Sequence, residues 1–140
     1  MFELTIDNQV YQFNFGMGFM RRVNSNVAIP VDGLPNVKKN IGLQYAVAGI
    51  IDNDLEILVN VLDAANEGFS PRVTRAQLDS LIDNPETDVD ALFAKVLDFL
   101  CSSNATRKIT KTMMEEVEKQ KQKAAAENQR ILKMFTVKWL

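Results

Sequence analysis

Apolar and polar residues alternate over the first fifteen positions, and apolar residues recur at helical spacing through most of the chain that follows. Phe2, Leu4 and Ile6 fall on one face of an extended segment, and Tyr11, Phe13 and Phe15 fall on one face of a second. Between them lies Asp7-Asn8-Gln9, and Asx residues tolerate the left-handed conformations of a tight connection. The pattern predicts a β-hairpin with strands over 2–6 and 10–15. An isolated hairpin is marginal in water, so helices must cover one of its faces. Phe13 or Phe15 is therefore expected in the core, where truncation to Ala costs about 3–5 kcal/mol.

Gly16-Met17-Gly18 interrupts the strand, after which Phe19, Met20 and Val23 fit a short helix. Residues 24–39 hold Asn24-Ser25-Asn26, Pro30, Asp32-Gly33 and Pro35, all breakers, and read as a loop. Ile41 to Ile51 is apolar on nearly every side, which predicts a buried helix. Asp52 or Asp54 can cap the next helix, in which Leu55, Leu58, Val59 and Leu62 are spaced i, i+3, i+4, i+7. Gly68 ends it, and Thr74 is the N-cap expected for a helix over 75–82. Beyond the break at Asn84-Pro85-Glu86-Thr87-Asp88, an unbroken stripe runs through Val89, Leu92, Phe93, Val96, Leu97, Leu100 and Cys101. Cys101 continues that stripe as a small core residue rather than as a reactive thiol. The fold class is α+β, mostly helical: an N-terminal β-hairpin packed on about five helices, with a C-terminal helical arm.

The last thirty-six residues differ in kind. Ser102-Ser103-Asn104 is a hinge-like break, and Ile109, Met113 and Val117 then recur every four residues. Glu118 to Arg130 favours helix by propensity but offers no apolar stripe beyond its alanines. The terminus, Ile131 to Leu140, turns strongly apolar and contains the sole tryptophan, Trp139. This divides the chain into a globular unit, residues 1–104, and a basic helical arm, residues 105–140, expected to stand apart from the core. Charge follows the division. Residues 1–104 carry seven Lys/Arg against fourteen Asp/Glu, a net −7, and residues 105–140 carry nine against four, a net +5.

Composition removes most catalytic chemistry. With no histidine, the Ser-His-Asp and Cys-His mechanisms and imidazole zinc sites are out of reach. One cysteine excludes internal disulfides and all-cysteine metal sites. Gly16-Met17-Gly18 lacks the third glycine of a dinucleotide fingerprint, Arg21 standing in its place, and there is no phosphate-binding P-loop. Asp52, Asp54 and Glu56 alternate like calcium ligands, but Ile57 occupies the position where the loop requires glycine. Glu86, Asp88 and Asp90 fail in the same way at Ala91. Both groups read as helix N-terminal charges. Neither a catalytic residue nor a metal or cofactor site is expected. The longest apolar run, Tyr45 to Ile51, is far too short to span a bilayer, and Glu3 stands where a signal peptide wants a base. A cytosolic, non-enzymatic protein is expected. The candidate partner-binding residues are Met113, Met114, Val117, Ile131, Leu132, Met134, Phe135 and Trp139, because methionine adapts to irregular apolar surfaces and tryptophan anchors interfaces.

The run from Glu3 to Asn24, ELTIDNQVYQFNFGMGFMRRVN, resembles the opening of tail assembly chaperones from long-tailed, siphovirus-type phages of Gram-positive bacteria. That opening pairs a hairpin of the form xINGKxYxFxF with GxGFxRExN. The similarity continues, in order, through the apolar helix pair over 41–65, through Ser70 to Ile82, and through the helix over 92–100. Arg22 departs from the pattern, which has an acid there, and the loop over 24–39 is richer in Pro and Gly. The resemblance implies a non-enzymatic assembly factor of the host bacterial cytoplasm, absent from the mature virion. It would hold the tape measure protein in solution until tail tube subunits polymerise around it. A longer, frameshifted form of such proteins recruits the tail tube protein, and homo-oligomerisation suits the coating of a long rod. A structural tail or head–tail connector subunit is the alternative, with a nucleic-acid-binding regulator behind it.

Overall fold

The computed structural model describes residues 2–139, with side chains over 2–135. Strands β1 (Phe2–Ile6) and β2 (Gln9–Phe13) pair antiparallel, with Phe2 opposite Phe13 and Leu4 opposite Tyr11. Asp7 and Asn8 both adopt positive φ, 52° and 66°, as a two-residue hairpin turn demands. The second strand ends at Phe13, two residues short of the expected limit. The Asn14 N–H leaves the ladder and donates to the Ala65 carbonyl at 2.8 Å. Phe15 is nonetheless buried, as Phe13 is. The Phe2 ring meets those of Phe13, Phe15 and Phe99 edge-on, with centroids 5.4, 5.5 and 5.1 Å away. This aromatic cluster supplies the helical cover that the hairpin requires.

Helix α1 (Met17–Asn24) buries Phe19 and Val23. The segment after it is not a plain loop. It forms a second antiparallel hairpin, β3 (Ala28–Val31) with β4 (Leu34–Asn40), turning at Gly33, where φ is +77°. Pro30 is compatible with pairing because of where its nitrogen points. The Ile41 N–H donates to the Val27 carbonyl at 2.8 Å, so alternation places the next bonded pair at Ile29 and Lys39. Pro30 then faces the outer edge, where no donor is needed. Apart from half-buried Val31, every residue of this hairpin is exposed.

Helices α2 (Gly42–Ile51) and α3 (Leu55–Asn66) form the centre of the body. Gly42 is where α2 crosses the end of α1. A Cβ at this position would collide with the carbonyl oxygen of Val23 and lie 2.9 Å from that of Asn24. Backbone cannot yield as a side chain can. Gly42→Ala is therefore expected to destabilise by about 1–3 kcal/mol or more, read as a lower thermal midpoint. An unchanged midpoint would mean that the two helices do not touch there.

Thr74 caps as the sequence predicts, the structure chooses between Asp52 and Asp54, and Asp88 is a cap that the sequence marked only as a first-turn charge. Asp54, rather than Asp52, accepts from the Ile57 N–H at 3.1 Å, and Asp88 accepts from the Ala91 N–H at 3.0 Å. Thr74 and Gln77 close a reciprocal capping box at the start of α4 (Arg75–Asp83). Helix α5 (Val89–Ser102) buries Leu92, Phe93, Val96 and Leu100.

Helix α6 runs 33 residues, Arg107–Trp139. The break before it is a tied corner rather than a hinge. The Ser103 hydroxyl donates to the Phe15 carbonyl at 2.6 Å, and the Thr106 hydroxyl donates to the Leu100 carbonyl at 2.7 Å. Thr106 and Thr110 are buried, while Ile109 and Met113 pack against the core. The helix thus leaves the body at Met113.

Candidate partner-binding surface

Two polar side chains hold the body together: Asn66, which sequence reasoning did not single out, and Arg22, marked there only as a departure from the family pattern. Asn66, fully buried at the end of α3, uses both faces of its amide. Nδ2 donates to the carbonyls of Gln12 at 2.9 Å and Pro71 at 3.4 Å. Oδ1 accepts from the Val73 N–H at 2.7 Å and from Arg72 Nη1 at 2.8 Å. Arg22 donates from Nε and Nη2 to the Ala64 carbonyl and pairs with Glu67 at 3.2 Å. The cation sits on the negative end of α3, where the dipole and the unpaired carbonyls favour it. The departure at Arg22 therefore has a structural role.

In the acidic clusters Asp54 and Asp88 cap α3 and α5, and Glu56 and Asp90 lie in the first turns of those helices. Among the described residues no group of three or more His, Cys, Asp or Glu side chains is arranged to hold a metal ion. Cys101 is half-buried, its sulfur 3.4 Å from that of Met114. Burial pushes its thiol pKa up, Asp98 adds to the shift and Lys111 opposes it, so the thiolate that reactivity needs is disfavoured.

What the molecule offers instead is surface. Of the candidate residues, Met113 packs on the core, Met114 is exposed beside Cys101, and Val117 is half-buried. Ile131, Leu132, Met134 and Phe135 are together on the last turns of α6, with Phe135 57% exposed. The Trp139 side chain lies outside the described residues. The candidates thus form two groups, one at the body and one at the tip. The fourteen residues from Val117 to Ile131 separate them by about 21 Å at 1.5 Å per residue.

Two further exposed apolar features escaped the sequence reading. Ile29, Leu34 and Val37 are exposed on the β3–β4 hairpin, and Tyr45 on α2 is 59% exposed. Asp32-Gly33 between apolar residues was the available signal for the hairpin, masked by Pro30 and Pro35. Tyr45 borders a groove of about 140 Å³ between α2 and α3, lined also by Val27, Gly42, Ala46, Ile57 and Val61.

The molecule is a small α+β body from which a long helix projects, with apolar side chains exposed near its end. Its family follows from sequence comparison: over residues 3–115 the chain matches the phage tail assembly chaperone protein family (TAC). The chain belongs to this family, which is non-enzymatic and acts with tail proteins during tail assembly. No similar protein was found among curated proteins, and none among solved structures. The matched span ends two residues beyond Met113, where α6 leaves the body. Among the described residues no helix is long and apolar enough to cross a membrane.

Proposed function

We propose that the protein binds the tape measure protein of a long-tailed phage of a Gram-positive host and keeps it soluble until the tail tube assembles around it. It acts in the host cytoplasm and is absent from the finished virion. A frameshifted longer form recruits the tail tube protein. The observation that carries this reading is the exposed tip of α6 on a body of the tail assembly chaperone family. A holding factor needs adaptable apolar surface on a charged, inert carrier. Met134 and Phe135 supply the surface, while the lysines of α6 keep the helix soluble. In this reading the body serves as a platform and the part of α6 beyond Met113 is the working arm.

Co-expression with the long helical protein encoded downstream tests the proposal. The soluble fraction of that protein is expected to rise several-fold with the wild-type chain, and to fall back with Phe135→Asp. No gain in solubility would overturn the reading. Stoichiometric presence in purified virions would favour a structural tail subunit. Retention on DNA that weakens steeply with salt would favour a regulator.

A further inference from the structure

We infer that the α2–α3 groove takes an amphipathic helix of another protein, one whose apolar stripe is flanked at one end by lysine or arginine. Under the function proposed above that helix belongs to the client. The inference therefore rests on that reading, and it adds a contact on the body to the one on the arm.

Shape selects a helix. The groove holds about 140 Å³, against the roughly 150 Å³ of an apolar cavity that admits benzene, so it accepts one large apolar side chain. The apolar surface then continues along the β3–β4 hairpin. Val27 in the groove wall and exposed Ile29 are two residues apart on one extended segment, so they face the same side about 7 Å apart. Helical side chains at i and i+4 lie about 6 Å apart, so successive residues of one stripe reach both places. Helix-in-groove recognition uses anchors of this spacing.

Charge selects the flank. Residues 40–71, which supply α2 and α3, contain five acids and no Lys or Arg. Asp63 and Glu67 are held by Arg72, Arg75 and Arg22. Asp52, Asp54 and Glu56, at the α2–α3 corner, are exposed, and among the described residues none of them forms a salt bridge. Asp52 follows Tyr45 by two helical turns and Glu56 precedes Asn60 by one, so both stand on the faces that line the groove. At the hairpin end Lys39 lies opposite Ile29. The occupant's cations are thus drawn to the corner and kept from the hairpin, which fixes its direction. The chain's own arm does not fill the site, because every residue from Glu118 to Phe135 is exposed.

Titration of the full-length chain with synthetic helices, followed by amide chemical shifts, tests the assignment. The probe is a helix of about four turns with leucine at i, i+3, i+4 and i+7, lysine at the polar positions of one end and glutamine at the others. Its counterpart carries glutamate in place of lysine. The lysine peptide is expected to shift Tyr45, Ala46 and Ile57, to bind about tenfold more tightly than the glutamate peptide, and to weaken with salt. Tyr45→Arg puts a cation at the groove, and Asp52→Lys with Glu56→Lys reverses its flank, all at exposed positions. Each is expected to weaken the lysine peptide about tenfold. The double variant should also bind the glutamate peptide more tightly than wild type does, a gain that an unfolded chain cannot show. Equal affinity for the two peptides, or shifts confined to the tip of α6, would overturn the inference. So would binding that appears only in Phe135→Asp, because the groove would then be filled by the arm of another copy. The client assay separates the two proposals. A several-fold loss of client solubilisation in Tyr45→Arg supports both. Undiminished solubilisation by Tyr45→Arg retains the function and overturns the groove as a contact for the client. Groove binding of the lysine peptide without client solubilisation by the wild-type chain retains the groove's selectivity and removes the proposed function.

Discussion

Removing residues 118–140 leaves the thermal midpoint within about 2 °C of the full chain, whereas removing residues 105–140 lowers it by about 10–20 °C. The contrast follows from where α6 stops touching the body. Thr106 and Thr110 are buried, and Ile109 and Met113 pack on the core. Losing partly buried Ile and Met side chains, together with the hydroxyl that satisfies the Leu100 carbonyl, costs about 3–5 kcal/mol. For a domain of this size each kcal/mol moves the midpoint by about 4 °C. Beyond Val117, by contrast, every residue through Phe135 is exposed, and its ion pairs, such as Arg130 with Glu127, are of the surface kind worth about 0–1 kcal/mol. Calorimetry of the two truncations decides the matter. Equal midpoints would place the whole of α6 outside the folding unit, and a large loss from the shorter deletion would mean that the arm supports the body.

Asn66→Ala is expected to cost about 3–5 kcal/mol, more than its size suggests. The amide is a junction at which β2, α3 and the segment leading into α4 meet. Its removal strips a partner from the buried Val73 N–H and from the carbonyls of Gln12 and Pro71. Each stranded buried group costs about 1–3 kcal/mol. Asn66→Asp keeps the acceptors and loses the donors, so it should not restore the two carbonyl contacts. Urea denaturation with an unchanged slope is the measurement, since the midpoint then reports stability alone. A loss below about 1 kcal/mol would show that water replaces the amide without penalty.

The sequence by itself determined the parts of this protein governed by local chemistry. Alternation gave β1 and β2, and the Asx pair at Asp7 and Asn8 gave their turn. Threonine at position 74 marked one helix start, Asp52 or Asp54 a second, and the charges at Asp88 and Asp90 a third, while the stripe through Leu92, Val96 and Leu100 marked the core face of α5. The absence of histidine and the single cysteine removed the catalytic and metal chemistries that require those residues. Each of these is set within one or two turns of chain, where spacing and propensity suffice.

Tertiary structure alone decided the remainder, because each case depends on a partner far away in sequence. Pro30 and Pro35 argue locally for a loop, yet Pro30 sits where its missing donor faces outward, which only pairing can reveal. Arg22 and Asn66 carry no local pattern. Their roles come from Ala64, 42 residues away, and Gln12, 54 residues away. The arm likewise begins at Met113 and not at the charge boundary. Charge changes sign near residue 105, but a helix leaves a body only where its side chains lose a surface to pack on, and that surface belongs to α2 and α5.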